Sequence, residues 1–135
     1  MAFQLGTTLR NTRVSQVLTV VGSSGATMKI FSGGEPANCA APDPVGVLCT
    51  ISLPNPWLGS ASGGAVSMAG TWSGAASATG TAQCFRIYDS GGVVCHLQGN
   101  LTATGGGGDG TLDNIAITSG QTVNVTSFTL TDGGA

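Results

Sequence analysis

Two runs of strand-forming residues around a glycine turn constrain the fold more than any other feature of the sequence. Residues 83–88 have the sequence QCFRIY, residues 93–97 have the sequence VVCHL, and Asp89-Ser90-Gly91-Gly92 lies between them. This pattern is typical of a β-hairpin, because tight turns need the positive φ angles that glycine adopts easily. Neither face of the first run is wholly polar, so we expect the hairpin near the middle of a β-rich fold.

Further short strand-forming segments, separated by glycine- or proline-containing turns, occur along most of the chain. The sequence predicts strands at residues 26–32, 47–53, 65–69, 111–118 and 121–131. Many short strands with such turns favour an antiparallel β-sandwich, with a jelly roll as the expected form. At 135 residues the chain is expected to form one domain, residues 1–135, with the sandwich over residues 26–131.

One amphipathic helix is predicted before the first strand, over residues 8–21. Its apolar stripe has the spacing i, i+3, i+4, i+7 and consists of Val14, Val17, Leu18 and Val21. Thr7 or Thr8 can cap the start, and Gly22 is placed to end the helix. We interpret the stripe as a core-packing face.

The last predicted strand carries a conflict of parity. Its apolar pairs are Val123 with Val125 and Phe128 with Leu130. A regular strand sends these pairs to opposite faces, so either both faces are buried or a bulge near Thr126-Ser127 shifts the register by one residue. The bulge is the preferred interpretation.

The composition argues against several classes of function. Only 7% of residues are charged, the formal net charge is −2, and four basic residues do not make a nucleic-acid footprint. No apolar run approaches the length of a membrane helix, and the N-terminus lacks the pattern of a secretory signal, so synthesis and folding in a cytoplasm are expected. A chain with so little charge is poorly protected against association, which favours a stable assembly.

Catalytic and metal-binding patterns are weak. The single histidine, His96, follows Cys95 within a predicted strand, where neighbouring side chains point to opposite faces. A Cys–His nucleophilic pair is therefore not expected. The cysteine spacings do not fit a zinc site, and the Gly105–Gly110 segment GGGGDG matches neither a phosphate loop nor a calcium loop. We expect no enzyme activity, no metal and no cofactor.

The four cysteines, Cys39, Cys49, Cys84 and Cys95, are candidates for disulfides, with three alternatives open. They can be free thiols, intramolecular bridges or bridges between subunits. A two-residue turn in the hairpin places Cys95 opposite Arg86 and leaves Cys84 on a diagonal about 7–8 Å away, beyond the usual span of about 4.4–6.8 Å. A bridge from Cys39 to Cys49 is easier, because Cys39 lies on a proline-rich loop.

Several segments together resemble a family of small virion proteins of tailed phages. The relevant sequences are LRN near the helix start, KIFSGGEPAN, LCTISLPNP, ATGTAQCFRIYDSGG and the closing LDN-IAITSGQTVNVTSFTLTDGGA. The most specific parts are Phe85-Arg86-Ile87 and Phe128-Thr129-Leu130-Thr131. The resemblance extends from about Leu9 to the C-terminus, and the four cysteines depart from the family pattern.

This resemblance implies a structural role on the capsid exterior, as a cement or decoration protein. The implied partner is the major capsid protein, with a homotrimer as the expected oligomer, assembled in the host cytoplasm. Residues 1–7 would form an arm that reaches a neighbouring subunit. Candidate interface residues are Phe3, Leu5, Trp57 and Trp72.

Two other functions compete with this one. A tail- or fibre-associated protein could use the same fold, although fibre proteins usually carry repeats and none is visible. A carbohydrate-binding module could use Trp57, Trp72 and Tyr88 as a sugar platform, although aromatic residues make up only 5% of the chain.

Overall fold

A computed structural model describes residues 3–132 and shows a mainly β protein with one N-terminal helix. Residues 1–2 of the expected arm and residues 133–135 lie outside the described part. The elements are α1 (Thr7–Val21), β1 (Thr27–Phe31), β2 (Val47–Ser52), β3 (Ala65–Ser67), β4 (Ser73–Ala75), β5 (Gly80–Thr81), β6 (Cys84–Tyr88), β7 (Cys95–Ala103), β8 (Gly110–Leu112), β9 (Ala116–Ile117) and β10 (Thr122–Thr131).

Eight of these strands form one curled sheet, which has the shape of a half-barrel. The strand order is β2-β1-β6-β7-β8-β10-β3, and β4 also pairs with β10. A bridge between Cys49 and Ala76 brings the residues after β4 back to β2, which curls the sheet over its core. β5 and β9 form a separate two-stranded sheet.

Helix α1 packs the predicted apolar stripe against the core. Val14 and Val21 are buried, and Val17 and Leu18 are partly buried against them. Gly22 ends the helix with φ of 99°, as predicted. The predicted threonine cap is wrong, because Gly6 occupies the N-cap position and no side chain among residues 3–132 caps the helix.

Aromatic rings form the centre of the core. Trp57 and Trp72 are fully buried, with ring centroids 5.9 Å apart, and Phe128 lies 5.2 Å from Trp72 and 5.8 Å from Phe85. Both indole nitrogens are satisfied by backbone oxygens: Trp57 donates to Gly22 at 2.8 Å, and Trp72 donates to its near neighbour in sequence, residue 69, at 3.1 Å. The two tryptophans are therefore buried core residues of this chain, and a role for them at an interface stays a prediction.

One strand pair departs from the predicted antiparallel arrangement, because β7 and β8 are parallel. The glycine-rich residues 104–109 turn the chain back beside β7 within a few residues. Gly106 and Gly108 lie against the side chain of Thr102, where an added Cβ would come within 2.7 and 2.9 Å. Asp109 and Asn100 also exchange hydrogen bonds between backbone N–H groups and side-chain oxygens. Gly106 and Gly108 therefore allow this turn to pack closely against β7.

Bulges in two strands decide which side chains face the core. In β10 the register shifts between Val125 and Ser127, so that Val123, Val125 and Phe128 are all buried, which confirms the predicted bulge. In the β1–β2 pair the register shifts opposite Val47. Val47 is consequently exposed rather than aligned with the buried positions of β2.

The central hairpin is confirmed, but its connection is longer than two residues. Cys84 pairs with Asn100 and Tyr88 pairs with Cys95, with a register shift between Ile87 and Tyr88. The pairing of Cys95 with Arg86 that a two-residue turn requires is therefore wrong. Cys84 begins β6, whereas Cys95 of β7 lies beside Tyr88 at the other end of β6.

Candidate functional site

A strap, residues 32–46 between β1 and β2, crosses the outer face of the sheet. We define the outer face as the side of β1, β6 and β7 that points away from the core. Phe85 and Ile87 of β6 belong to the core, so the alternating residues Arg86 and Tyr88 point outward. Their side chains, together with Gln98 of β7, reach the strap.

Arg86 lies at the centre of this contact and is only 2% exposed. Its guanidinium donates hydrogen bonds to the backbone oxygens of Ala41 (2.9 Å) and Asn38 (3.0 Å), to Asp43 Oδ1 (3.0 Å) and to Gln98 Oε1 (3.1 Å). The Nε atom is buried without a partner among the described residues. The two terminal nitrogens of the guanidinium therefore donate to the strap and to β7.

Three neighbouring side chains complete the cluster. Tyr88 donates its hydroxyl hydrogen to Asp43, and Gln98 Nε2 donates to Pro36 O at 2.7 Å. Lys29 Nζ lies 4.8 Å from the centroid of the Tyr88 ring, within the range of a cation–π contact. The strap is thus held at several points along its length.

The ionisation of this cluster follows from its contacts. Burial raises the pKa of Asp43, but the hydrogen bonds from Tyr88 and Arg86 outweigh burial and hold that pKa below its ordinary value. Burial, followed by the hydrogen bond to Asp43, raises the pKa of Tyr88. At neutral pH Asp43 is an anion and Tyr88 is a neutral donor. The arrangement fastens a loop, because the terminal guanidinium nitrogens of Arg86 and the Tyr88 hydroxyl donate to the strap.

The four cysteines are free thiols at separate depths. Cys49 is in the core and contacts the backbone oxygen of residue 75, and buried Cys84 contacts Gly33 O on the outer face. Burial raises the pKa of both thiols. Cys39 in the strap and Cys95 at the start of β7 are half-buried, and their thiols are neighbours. The pairs Cys39–Cys49 and Cys84–Cys95 are not brought together.

A second feature is an apolar surface at the end of the molecule where α1 ends and β7 begins. A groove of about 250 Å³ runs between the helix and the sheet, with Val20 and His96 among its lining residues. Val20 is 64% exposed. The β6–β7 connection, residues 89–94, approaches the same end, because Ser90 lies against Gly25.

The hairpin tip, which we define as residues 89–94, carries two adjacent exposed valines. Val93 is 83% exposed and Val94 is 52% exposed. Asp89 shapes the tip by accepting a hydrogen bond from Gly91 N and by contacting His96 Nε2 at 3.2 Å. The valines are thus presented on a turn that is tied to β7.

His96 takes no part in a nucleophilic pair with Cys95. Its imidazole contacts Asp89, whereas the Cys95 thiol contacts Cys39 and donates to Leu97 O at 3.3 Å. The two neighbouring side chains have separate partners, as the strand alternation predicts.

Polar contacts fix α1 to the C-terminal strand and to the turn before β3. Arg13 Nε lies 3.3 Å from Asp132 Oδ2, and Arg10 donates to Asp132 O at 3.2 Å. Asn11 Oδ1 accepts a hydrogen bond from Gly64 N at 2.7 Å. A groove of about 240 Å³ lies between this side of the helix and the end of β10. The first half of the helix is therefore held in place relative to the sheet.

The other predicted interface and sugar-binding residues differ in their exposure to solvent. Phe3 is 89% exposed and Leu5 is half-buried. Trp57, Trp72 and Tyr88 are each buried, so they cannot form an exposed platform for a sugar.

Sequence reasoning missed the role of Arg86 and its strap partners. The available signal was an arginine within a run of apolar and aromatic residues, QCFRIY, in a chain with few other charges. A buried arginine must find several acceptors, and the proline-rich loop supplies them from backbone oxygens.

Neither a cluster suited to a metal ion nor a membrane-spanning helix is found in the described part of the chain. Among residues 3–132, no group of three or more histidine, cysteine, aspartate or glutamate side chains is placed to hold a metal ion. Within the same residues, no helix is both long and apolar enough to cross a bilayer.

Comparison with known proteins identified no relative. No protein-family model matches the chain, and neither the curated proteins nor the solved structures include a significant match.

Proposed function

We propose that this chain is a structural protein of a bacteriophage virion that binds and stabilises the outer capsid lattice. The observation that carries the proposal is the set of exposed valines at one end of a firmly packed domain: Val20, Val93 and Val94. These residues lie on a helix end and a hairpin tip that are tied to the sheet. The sequence resemblance to tailed-phage virion proteins supplies the class of partner.

The physical basis is apolar burial repeated over many copies. Fully burying an exposed valine stabilises a contact by about 1.5–3 kcal/mol, so a few such residues give a weak interaction. Contacts with several capsid subunits at once raise the overall affinity through effective concentration. Binding to the assembled shell then stabilises the shell by mass action. A homotrimer placed over a lattice three-fold axis satisfies this geometry, with the major capsid protein as partner.

The N-terminal arm makes a second contact in the proposal, from the opposite end of α1. Phe3 projects before the start of α1 and is almost fully exposed, and a large aromatic side chain is a typical interface anchor. The partly covered Leu5 would position the arm rather than bind the neighbour.

The proposal includes two statements about architecture and chemistry. The half-barrel is interpreted as a variant of the jelly-roll sandwich, with α1 closing one end, and an experimental structure would test that assignment. The protein is proposed to act by binding alone, without an enzymatic reaction.

The test is a particle-binding assay with matched valine variants. Purified phage particles lacking this protein are incubated with the full chain or with a variant, and bound protein is quantified after sedimentation. Val93→Ser combined with Val94→Ser should reduce binding at least tenfold. Val45→Ser is the matched control, because Val45 is 80% exposed but lies in the strap, beyond the opposite end of β1 from the tip.

The outcomes separate the alternatives. Loss of binding by the tip variant with retention by Val45→Ser supports the proposed surface. Equal binding by both variants contradicts it. Saturation at a few copies per particle, rather than hundreds, contradicts a cement role and favours the tail- or fibre-associated alternative.

A further inference from the structure

Cys39 and Cys95 meet where the strap crosses the start of β7. The two residues are 56 positions apart in the sequence, yet the strap brings Cys39 to the outer face near Tyr88, the strand partner of Cys95. The two thiols interact there. Both side chains are half-buried, so a small reagent can reach them. The contact joins the middle of the strap to the central hairpin.

The surrounding hydrogen bonds fix both sides of this contact. Arg86 binds the backbone oxygens of Asn38 and Ala41, which flank Cys39. Cys95 pairs with Tyr88, whose hydroxyl binds Asp43 farther along the strap. Cys39 is thus held between anchored neighbours above a thiol that belongs to a paired strand.

We propose that Cys39 and Cys95 form an intramolecular disulfide when the protein enters an oxidising environment, and that the bond locks the strap onto the outer face. Disulfides persist in such environments and are rare in reducing cytoplasm. The pairing is independent of any capsid role.

The oxidant is a low-molecular-weight disulfide such as oxidised glutathione. The Cys39 thiolate attacks one glutathione sulfur, the glutathione S–S bond breaks, and one glutathione thiolate leaves. The Cys95 thiol then loses its proton and attacks the Cys39 sulfur of the mixed disulfide, which releases the second glutathione. Two protein thiols are oxidised to one disulfide, and the two protons end on two glutathione thiols.

The order of attack follows from the environment of Cys95. Burial, followed by the contact with Cys39, raises the pKa of Cys95 to about 12. A thiol in this state is a poor first nucleophile at neutral pH, because the thiolate is the reactive form. Cys39 therefore reacts first and Cys95 resolves the mixed disulfide.

The remaining two thiols lack such a partner. Cys49 faces the core, where it belongs to the buried apolar cluster. Cys84 is paired with Asn100 at the far end of β6 from Cys95, and its thiol contacts Gly33 O. The structure therefore favours one bridge and two free buried thiols.

Peptide mapping of the full chain tests the pairing directly. The protein is incubated with oxidised glutathione, free thiols are alkylated under denaturing conditions, and the product is cut with trypsin and endoproteinase Asp-N. These enzymes place Cys39 in residues 30–42 and Cys95 in residues 89–108, whereas Cys49 and Cys84 share residues 43–86. The expected result is one cross-linked species joining 30–42 to 89–108, with Cys49 and Cys84 alkylated.

Thermal unfolding gives a second readout with a matched control. Closing a loop of this length should raise Tm of the oxidised over the reduced protein by about 10 °C. Cys39→Ser should abolish that difference. Cys49→Ala combined with Cys84→Ala should retain it, even if these substitutions at buried positions lower Tm in both states.

A cross-link from Cys39 or Cys95 to residues 43–86, a bridge between chains, or complete alkylation of Cys39 and Cys95 after oxidation would each overturn the proposal. A folding failure of any variant leaves the mapping of the unmodified chain as the deciding result.

Discussion

At the scale of single residues, Arg86 makes many structural contacts that the sequence alone did not predict. It is a buried cation with one carboxylate partner and several neutral oxygen acceptors. Burial of a guanidinium is tolerated only because those acceptors replace water. Removing the side chain leaves oxygens in the strap and on β7 without their donor.

Arg86→Ala is expected to lower the free energy of unfolding by about 2–3 kcal/mol, because buried acceptors lose their hydrogen bonds. Urea unfolding measures this change, and amide hydrogen exchange should become faster in residues 36–43. Arg13→Ala is the control, since the Arg13 side chain is 54% exposed, whereas Arg86 is buried and binds four acceptors. Equal effects of the two substitutions would contradict the role assigned to Arg86.

Asp43 gives the strap a dependence on pH. Its pKa is lowered in the folded protein, so the carboxylate contributes stability that is present above its unfolded pKa of about 3.8. That contribution is lost as the pH falls through the lower, folded pKa.

Asp43→Asn should therefore lower Tm at pH 7, and the difference from the unmodified protein should shrink between pH 4 and pH 2. Calorimetry over that range measures the change. The effect is expected to be small, because the Asp43 side chain is 40% exposed and partly screened by solvent. A Tm difference that stays constant down to pH 2 would show that the charge of Asp43 is not involved.

At the scale of elements, the parallel pair β7–β8 depends on glycines that let the chain turn back on itself. Gly99 lies where a Cβ would come within 2.8 Å of Asp109 and 2.9 Å of Phe85. Real Cβ atoms are not found at such distances from fixed neighbours, so the space between β7, β8 and β6 requires glycine.

Gly99→Ala is expected to destabilise the fold by about 1–3 kcal/mol through overpacking. Gly34→Ala is the matched control, because an added Cβ there meets no atom within 4 Å from any described residue beyond its chain neighbours, and φ is not positive. Its stability should be unchanged or slightly higher, since alanine restricts the unfolded chain. Chemical denaturation distinguishes these outcomes, and an unaffected Gly99→Ala protein would contradict the close packing.

The local spacing of apolar residues predicted the elements that bury one face against the core. The stripe of α1 gave the helix, and the parity conflict between Val125 and Phe128 gave the bulge of β10. Long-range pairing left no comparable signal. A run of glycines is equally consistent with a flexible linker and with a tight return, so the parallel direction of β8 could not be predicted.

The candidate sites were less predictable than the elements. The contact between Cys39 and Cys95 depends on where the strap crosses the sheet, which spacing along the chain does not determine. The hairpin tip was predicted as a turn, but its length and the exposure of Val93 depend on the shifted register of β6 and β7. The buried positions of Trp57 and Trp72 depend on how the half-barrel curls.

At the scale of the whole molecule, fastening and binding are proposed for different surfaces. The strap closes the outer face through Arg86, whereas the exposed valines lie at the hairpin tip and the end of α1. A domain held together away from its contact surface can bind a neighbour without first becoming ordered, which lowers the entropic cost of association.

A reconstruction of the intact virion, combined with quantitative mass spectrometry of its proteins, tests the central proposal most directly. The account predicts hundreds of copies per particle, with density for this domain on the outside of the capsid and the hairpin tip turned toward the major capsid protein. Absence of the protein from purified particles, or a few copies confined to the tail, would contradict it.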